Sequence, residues 1–359
     1  LNKKLEQLRQ EIDQIDDQLL KLFNQRATLA QQTATIKKSE ANFKSLYRSD
    51  REALILRAIK ERNQGPLEDR DIVFLFRELM SQCLRLEQPL QIGYLGPKGT
   101  FTQEASLKHF GQSVKLTPLT LIDDVFQELQ NGFIDYGVVP IENSSEGVVH
   151  STLDALLRND VKINSEIELK IHQNILISQH TVPEKISQIY SHSMSFAQCR
   201  VWLDRHFPNV KKIAVTSNAE AANKVRSEWH SAAIASKMAA KLYQLDVLYQ
   251  HIEDKSDNCT RFLVLGNQST LSTGKDKTSI IITAHNESGI LFDILRPFKE
   301  HNVSLSRIET RPTKEKLWSY AFFIDFIGHE DDANTREVFQ KLQQLNIKIK
   351  YLGSYPQAL

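Results

Sequence analysis

One long apolar stripe near the start of the chain constrains its fold more than any other feature. Leu5, Leu8, Ile12, Ile15, Leu19 and Leu22, then Leu29, Thr33 and Ile36, recur at alternating spacings of three and four. That repeat places side chains along one face of an α-helix. Arg26 interrupts the series. A helix running to about residue 38 would be about 55 Å long at 1.5 Å per residue. A domain ending near residue 88 cannot bury such a stripe by itself. Two copies laid along each other can, so a homodimer or a higher homo-oligomer is expected. Within residues 1–88, Gly65-Pro66 is the one break of its kind. Ser49-Asp50-Arg51-Glu52 has the form of a capping box opening a second helix to about Arg62. Leu67 to about Glu87 reads as a third helix, closed by Gln88-Pro89.

At 359 residues the chain exceeds one ordinary core, and two to three domains are expected. The net charge is +1, so no broad field favours nucleic acid or an anionic membrane, and neither is expected as a partner. Cys83, Cys199 and Cys259 are odd in number and far apart, with no Cys-x-x-Cys or Cys/His cluster of zinc spacing. No metal or cofactor is therefore expected, and free thiols suit a cytoplasmic location. No apolar run has the length of a membrane span. The N-terminal stretch is charged and amphipathic, unlike a signal peptide.

Beyond residue 90 the pattern changes. Strand candidates at 92–96, 136–140, 171–178, 189–191, 213–216, 232–235 and 261–266 alternate with helical patterns at 103–109, 121–131, 151–159, 197–206, 218–227 and 236–243. That alternation predicts α/β lobes over residues 91–268. Asn267 to Asp276 is polar and reads as a linker. Residues 277–359 then read strand (278–283), helix (289–301), strands (303–309 and 317–327), helix (332–345) and strand (347–353), the ferredoxin-like βαββαβ order. The fold class is thus multidomain: an all-α helical domain over 1–89, a two-lobed α/β domain and a ferredoxin-like α+β domain.

Arg26 on an apolar seam needs an anion, because a buried guanidinium is costly without one. Lys37 lies eleven residues on, on the same helix face, and Arg9, Arg48 and Arg51 add cations near helix ends. Two readings stand: a solvated surface with snorkelling arginines, or a pocket for a small dianion. Leu8-Arg9, Gln25-Arg26, Lys37, Asp50-Arg51-Glu52 and the third helix through Cys83 and Glu87 resemble the all-helical chorismate mutase family. The resemblance implies an intertwined dimer in which Arg9 reaches the partner's site. It implies that Arg9 and Arg26 bind the two carboxylates of chorismate, that Lys37 donates to the ether oxygen and that Glu52 holds the ring hydroxyl. Arg48, Arg51 and the Cys83 region would line the pocket. Glu87 stands where some relatives carry Gln, and a carboxyl donates to the ether oxygen only while protonated. Glu52 as a mere capping residue and Cys83 as a small core residue are the alternatives.

Gly96-Pro97-Lys98-Gly99-Thr100-Phe101-Thr102 and Pro140-Ile141-Glu142-Asn143-Ser144-Ser145 each follow a strand, and Thr260-Arg261-Phe262 opens a third. Glycines and a helix N-terminus suit an anion, and strand ends converging on one crevice are the usual ligand site of α/β folds. With Ser191-His192 and Phe196-Ala197-Gln198-Cys199, these motifs resemble prephenate dehydratase. The resemblance implies two lobes, akin to periplasmic binding proteins, with prephenate in the cleft. Thr260 would assist the leaving hydroxyl, Arg261 would bind a carboxylate, Asn143, Ser144, Ser191 and Gln198 would supply neutral hydrogen bonds, and Phe262 would line the site. His192 reads as structural before catalytic, and Glu142 reads equally as a structural acceptor.

Asn286-Glu287-Ser288-Gly289-Ile290-Leu291 opens a helix and Ile308-Glu309-Thr310-Arg311-Pro312 ends a strand. The pair resembles the ACT regulatory domain attached to prephenate dehydratases. It implies a phenylalanine site between subunits built from Gly289, Ile290, Leu291, Glu309, Thr310, Arg311 and Pro312. Ser304-Leu305-Ser306 stands where Asn-Leu-Thr is more usual. Nearly the whole chain thus resembles the bifunctional chorismate mutase–prephenate dehydratase (P-protein) family. It is expected to convert chorismate to prephenate and prephenate to phenylpyruvate, with phenylalanine as allosteric effector. A non-catalytic sensor, a dehydratase with vestigial helices, and arogenate as substrate are the rival readings.

Overall fold

The computed structural model describes residues 2–39, 47–285, 287–313 and 319–358. It divides into two compact units, Leu1–Leu90 with Phe110–Lys115, and Gln91–His109 with Leu116–Leu359.

The first unit holds three helices, Asn2–Lys38, Ser49–Arg62 and Asp69–Glu87. The first has the length that its stripe predicts, and Lys37 and Lys38 in its last turn suit the negative end of the helix dipole. Of its residues only Ala34 is buried. Leu8, Ile12, Ile15, Leu22 and Leu29 are 50–62% exposed in the single chain. The second helix does not start with a capping box. Arg48 occupies the cap position without a side-chain cap bond, since a guanidinium has no acceptor to offer, and Glu52 pairs with Arg77 on the third helix.

The second unit contains two α/β lobes. In the first lobe's sheet the strands run in the order Lys115–Leu119, Gln91–Leu95, Tyr136–Asn143, Cys259–Gly266, Lys162–Lys170. In the second lobe the order is Asp246–Tyr249, Asn174–Ile177, Ser231–Ala235, Gln188–Ser191, Lys211–Ala214. The chain passes between the two sheets twice, at residues 171–173 and 250–258. That is the two-lobed plan expected of a cleft-binding domain. The strand Lys162–Lys170 is absent from the sequence reading. Its Asn164, Ser165 and Glu166 are buried, so it lacks the apolar alternation that marks a half-buried strand.

The C-terminal part forms a four-stranded sheet in the order Leu305–Pro312, Ser319–Ile327, Asp276–His285, Lys348–Pro356, with helices Ile290–Glu300 and Ala333–Gln343. This is the ferredoxin-like arrangement. One face packs on its own helices through Ile280, Ile282, Phe298, Ile324 and Val338. The opposite face does not meet solvent: Ile281, Phe323, Leu352 and Tyr355 share a core with Val125, Phe126, Leu153 and Ile163 of the first lobe. The segment read as a polar linker is correspondingly a packed strap. Thr270 is buried and bonds the Ser354 carbonyl, and the Gln268 carbonyl accepts from Asn164 Nδ2 at 2.7 Å. The Thr270 hydroxyl and the Gln268 carbonyl thus find partners within the protein.

Candidate active sites

In the helical unit, Arg26 spans from the first helix to the third. Its Nη1 lies 3.1 Å from Cys83 Sγ. Lys38 Nζ donates to the Glu87 carbonyl at 2.9 Å. Burial raises the Glu87 pKa, and the fields of Lys37, Lys38 and Arg26 only partly offset it. Arg26, Lys37, Cys83 and Glu87 are therefore brought together. Glu52 Oε1 stands 3.5 Å from Arg77 Nε, both side chains being largely buried. Burial lifts Glu52 to about 7, against the opposing field of Arg77. Arg77 escapes the sequence reading, since a lone arginine in an amphipathic helix looks like surface.

Two expected pocket residues stand apart from this group. Arg48 grips Asp50 through Nε and Nη2, at 3.0 and 2.6 Å, and Arg51 is exposed. Arg48 is therefore corrected from a pocket-lining residue to the partner of a buried carboxylate, since its planar fork is already matched. Arg9 is exposed and lies seventeen residues before Arg26 on the same straight element. That is roughly 26 Å at 1.5 Å per residue, out of reach of Arg26 within one chain.

In the first lobe, Thr260 pairs directly with Asn143 across neighbouring strands. Asn143 Nδ2 donates to Thr260 Oγ1 at 2.7 Å and to Asn258 Oδ1 at 2.9 Å. Asn143 Oδ1 in turn accepts from the backbone N–H groups of Ser145 and Glu146, so the amide is held at both ends. Ser144 Oγ accepts from the Cys259 N–H at 3.0 Å. Because Oγ1 of Thr260 accepts from Asn143, its own hydrogen remains available to a further acceptor. The glycine-rich turn is also built for close approach. Gly99 has φ of +89°, and a Cβ there would come within 3.2 Å of the Tyr243 ring. Tyr243 Oη donates to the Lys98 carbonyl at 3.0 Å, joining the two lobes.

In the second lobe, Ser191 Oγ donates to Asn218 Oδ1 at 3.0 Å. Gln173 Nε2 reaches both Ser195 Oγ and Gln198 Oε1 at 3.2 Å. Ser191 and Gln198 thus belong to one amide–hydroxyl network, and Gln173, Ser195 and Asn218 are members that the sequence reading missed. No motif singles out an isolated amide. His192 caps the helix Ser193–Gln198 by accepting from the Met194 N–H, which is the structural reading. The network and the Thr260 group border the same crossing segments, since Gln173 lies in one, Asn258 lies in the other, and the Ile171 N–H bonds the Asn258 carbonyl.

Arg261 requires a correction. Strand neighbours point to opposite faces, and its guanidinium turns away from Thr260 into the contact with the C-terminal sheet. Nε donates to Glu166 at 2.7 Å, Nη1 to Asp325 at 2.7 Å and Nη2 to Tyr355 at 3.0 Å. Burial opposes its charge, but Tyr355, Asp325 and Glu166 outweigh it and hold its pKa well above the usual value. A guanidinium so fully engaged is not a free carboxylate receptor. Phe262 is 2% exposed; it fills the interior and presents no open face to a ligand. Glu142 bridges Arg261 at 3.4 Å and Arg307 at 2.9 Å, the structural reading of that residue.

In the C-terminal sheet, Gly289 takes φ of +86° at the start of helix Ile290–Glu300, and Leu291 is partly exposed. Asn286 lies outside the described residues. Among the described residues, Leu305–Pro312 is an edge strand with a single neighbour. Thr310 and Pro312 face outward, while Glu309 and Arg311 are half-buried. Arg311 Nη2 donates to Asp154 of the first lobe at 2.7 Å.

Residues 8–88 match chorismate mutase type II, residues 92–270 match prephenate dehydratase and residues 278–344 match the ACT domain. The bifunctional chorismate mutase/prephenate dehydratase of Pseudomonas aeruginosa is 52% identical over 313 residues, 87% of this chain and 86% of that one. The protein of the same description from Aquifex aeolicus is 42% identical over 360 residues, 99% of each chain. The structure of prephenate dehydratase in complex with L-Phe from Arthrobacter aurescens superposes with a TM-score of 0.70 at 32% identity, covering 74% of this chain and 90% of that one. The chain belongs to the bifunctional chorismate mutase/prephenate dehydratase family.

Proposed function

We infer that this chain runs two consecutive reactions and senses their end product. The helical unit converts chorismate to prephenate. The two-lobed domain converts prephenate to phenylpyruvate with loss of CO2 and water. The C-terminal domain binds phenylalanine and lowers the second activity. The hydrogen bond from Asn143 to Thr260 carries the dehydratase assignment, because it fixes Thr260 Oγ1 as an acceptor at the strand end and leaves its hydroxyl hydrogen for a second partner.

The chemistry asks little of acids and bases. In the first step one C–O bond breaks and one C–C bond forms within a single molecule. The protein selects a compact conformer and stabilises charge growing on the ether oxygen. Arg26 and Lys37 supply positive charge, and protonated Glu87 supplies a donor. In the second step the electron pair of the ring carboxylate C–C bond enters the ring as CO2 departs. The ring hydroxyl leaves, takes a proton and becomes water. Thr260 donates a hydrogen bond to that departing oxygen; a threonine is too weak an acid to be consumed as the proton source. Asn143 and Ser144 fix the strand end, and Ser191 and Gln198 offer hydrogen bonds from the opposite lobe.

The mutase site is completed by a second copy. The exposed stripe on Asn2–Lys38 is the surface that a partner helix covers, and Arg9, distant from its own Arg26, serves the partner's site. The effector is read by the edge strand. The same strand that carries Glu309–Pro312 places Arg307 on Glu142 and Arg311 on Asp154, and its neighbour places Asp325 on Arg261. Glu142 lies one residue before Asn143, so a shift of this strand on effector binding reaches the Thr260 partner directly.

Thr260→Val separates the activities. Phenylpyruvate formation should fall by about 100-fold or more, the scale of losing a transition-state donor, while chorismate is consumed at the parent rate. Unchanged phenylpyruvate formation contradicts the assignment.

A further inference from the structure

Beside the Gln173 network, three ligand atoms that neither proposed reaction uses converge at the crossing between the two lobes. His172 Nδ1 lies 2.8 Å from Glu253 Oε1 and 2.9 Å from His251 Nδ1, and His251 Nδ1 lies 3.6 Å from the same oxygen. We propose that His172, His251 and Glu253 form a divalent-cation site of the zinc type, with its fourth position open to water.

The spacing is the first argument. Around a four-coordinate zinc with bonds of roughly 2.0–2.1 Å the donors stand about 3.3 Å apart, and the three separations bracket that value. Proton bookkeeping is the second. A neutral imidazole has one N–H. With hydrogens on both Nδ1 atoms, two N–H groups collide. With none, three lone pairs face one another. A single hydrogen on His172 Nδ1 can bond Glu253 but leaves the His251 Nδ1 lone pair to share that same hydrogen. A cation at the centre satisfies all three atoms at once.

The surroundings fix the ligands as a metal site requires. The Glu253 side chain is 3% exposed, and its other oxygen accepts from the Gln173 N–H at 2.9 Å. The two rings meet edge to face with centroids 4.2 Å apart. His251 holds φ of +54°, a left-handed conformation uncommon outside glycine that turns its ring toward His172. The imidazoles themselves are partly open, at 38% and 48%, so an ion and a water can enter. Glu104, whose charge His172 feels, keeps a buried Oε2 without a hydrogen-bond partner beside this group. His172 belongs to one crossing segment, and His251 and Glu253 belong to the other, so the ion would fasten together the two strands on which the lobes are hung. The sequence hides the site because its members are 79 and 2 residues apart, unlike a local zinc motif.

The test is titration of the metal-stripped full chain with zinc by calorimetry, together with the visible spectrum of its cobalt form. Zinc should bind at one ion per chain, and cobalt should give the intense absorption of a tetrahedral site. Zinc should also raise the Tm. His251→Asn, which keeps a residue tolerant of the left-handed backbone, should weaken the stoichiometric binding by about 100-fold or more and abolish the Tm rise. His172→Gln should do the same, and both variants should match the parent in metal-free Tm and circular dichroism. Parent protein that binds no stoichiometric zinc, or variants that bind it equally well, would overturn the proposal and leave a shared-proton hydrogen bond in its place.

Discussion

In the mutase step proposed above, the single carboxyl of Glu87 would set the working range of a reaction that transfers no proton. Its pKa is raised by burial, with Lys37, Lys38 and Arg26 pulling the other way. A raised carboxyl stays protonated to higher pH, and only the protonated form donates to the ether oxygen. Mutase activity should therefore be highest on the acid side and fall as pH rises through the Glu87 pKa. Glu87→Gln, whose amide donates at any pH, should flatten that limb in a plot of kcat/KM against pH. A parent profile already flat would contradict this role. At this scale the sequence is only half legible. Arg26, Lys37 and Thr260 can be picked out from charge on an apolar seam or from a strand-end motif. Arg261 and Phe262 cannot be separated from Thr260 that way, because adjacency in a motif says nothing of which strand face borders the cleft. Arg77, Gln173 and Asn218 act through partners remote in sequence.

The helix Asn2–Lys38 makes the assembly prediction. Among the described residues nothing covers the stripe through Ile12 and Ile15, both 55% exposed. Replacing both with Glu places two charges in the seam of the proposed helix pair. Ile12→Glu/Ile15→Glu should halve the mass read by light scattering and lower mutase turnover by about 100-fold or more, since each site would lose an arginine that stabilises negative charge. Dehydratase activity on supplied prephenate should survive. An unchanged mass would place the contact elsewhere. Helices were legible as elements because burial on one face leaves a period that local residues carry. The helix expected over 197–206 instead breaks at Cys199 into Ser193–Gln198 and Arg200–His206, and the strand Lys162–Lys170 went unseen. In that strand, Glu166 is buried because it answers Arg261 and Lys277, and tertiary pairing of this kind leaves no periodic trace.

Across the molecule, the dehydratase and regulatory parts share one core and one ion network, which a polar segment at 267–276 disguised as two separable bodies. Arg307 is the link that reaches from strand Leu305–Pro312, the proposed effector strand, to Glu142. Arg307→Gln leaves Arg261 on Glu142, so basal dehydratase activity should persist. The phenylalanine concentration for half-inhibition should rise between about 2-fold and 30-fold, the range for removing one element of a coupling network. Inhibition identical to the parent would exclude this route. The measurement that tests the account most directly is a feed of chorismate alone to the purified chain, following chorismate loss and phenylpyruvate appearance separately, with and without phenylalanine. Loss of chorismate followed by phenylpyruvate, with phenylpyruvate suppressed by phenylalanine, is the predicted result. Phenylpyruvate from prephenate but none from chorismate would contradict the two-reaction account and reduce the helices to scaffolding.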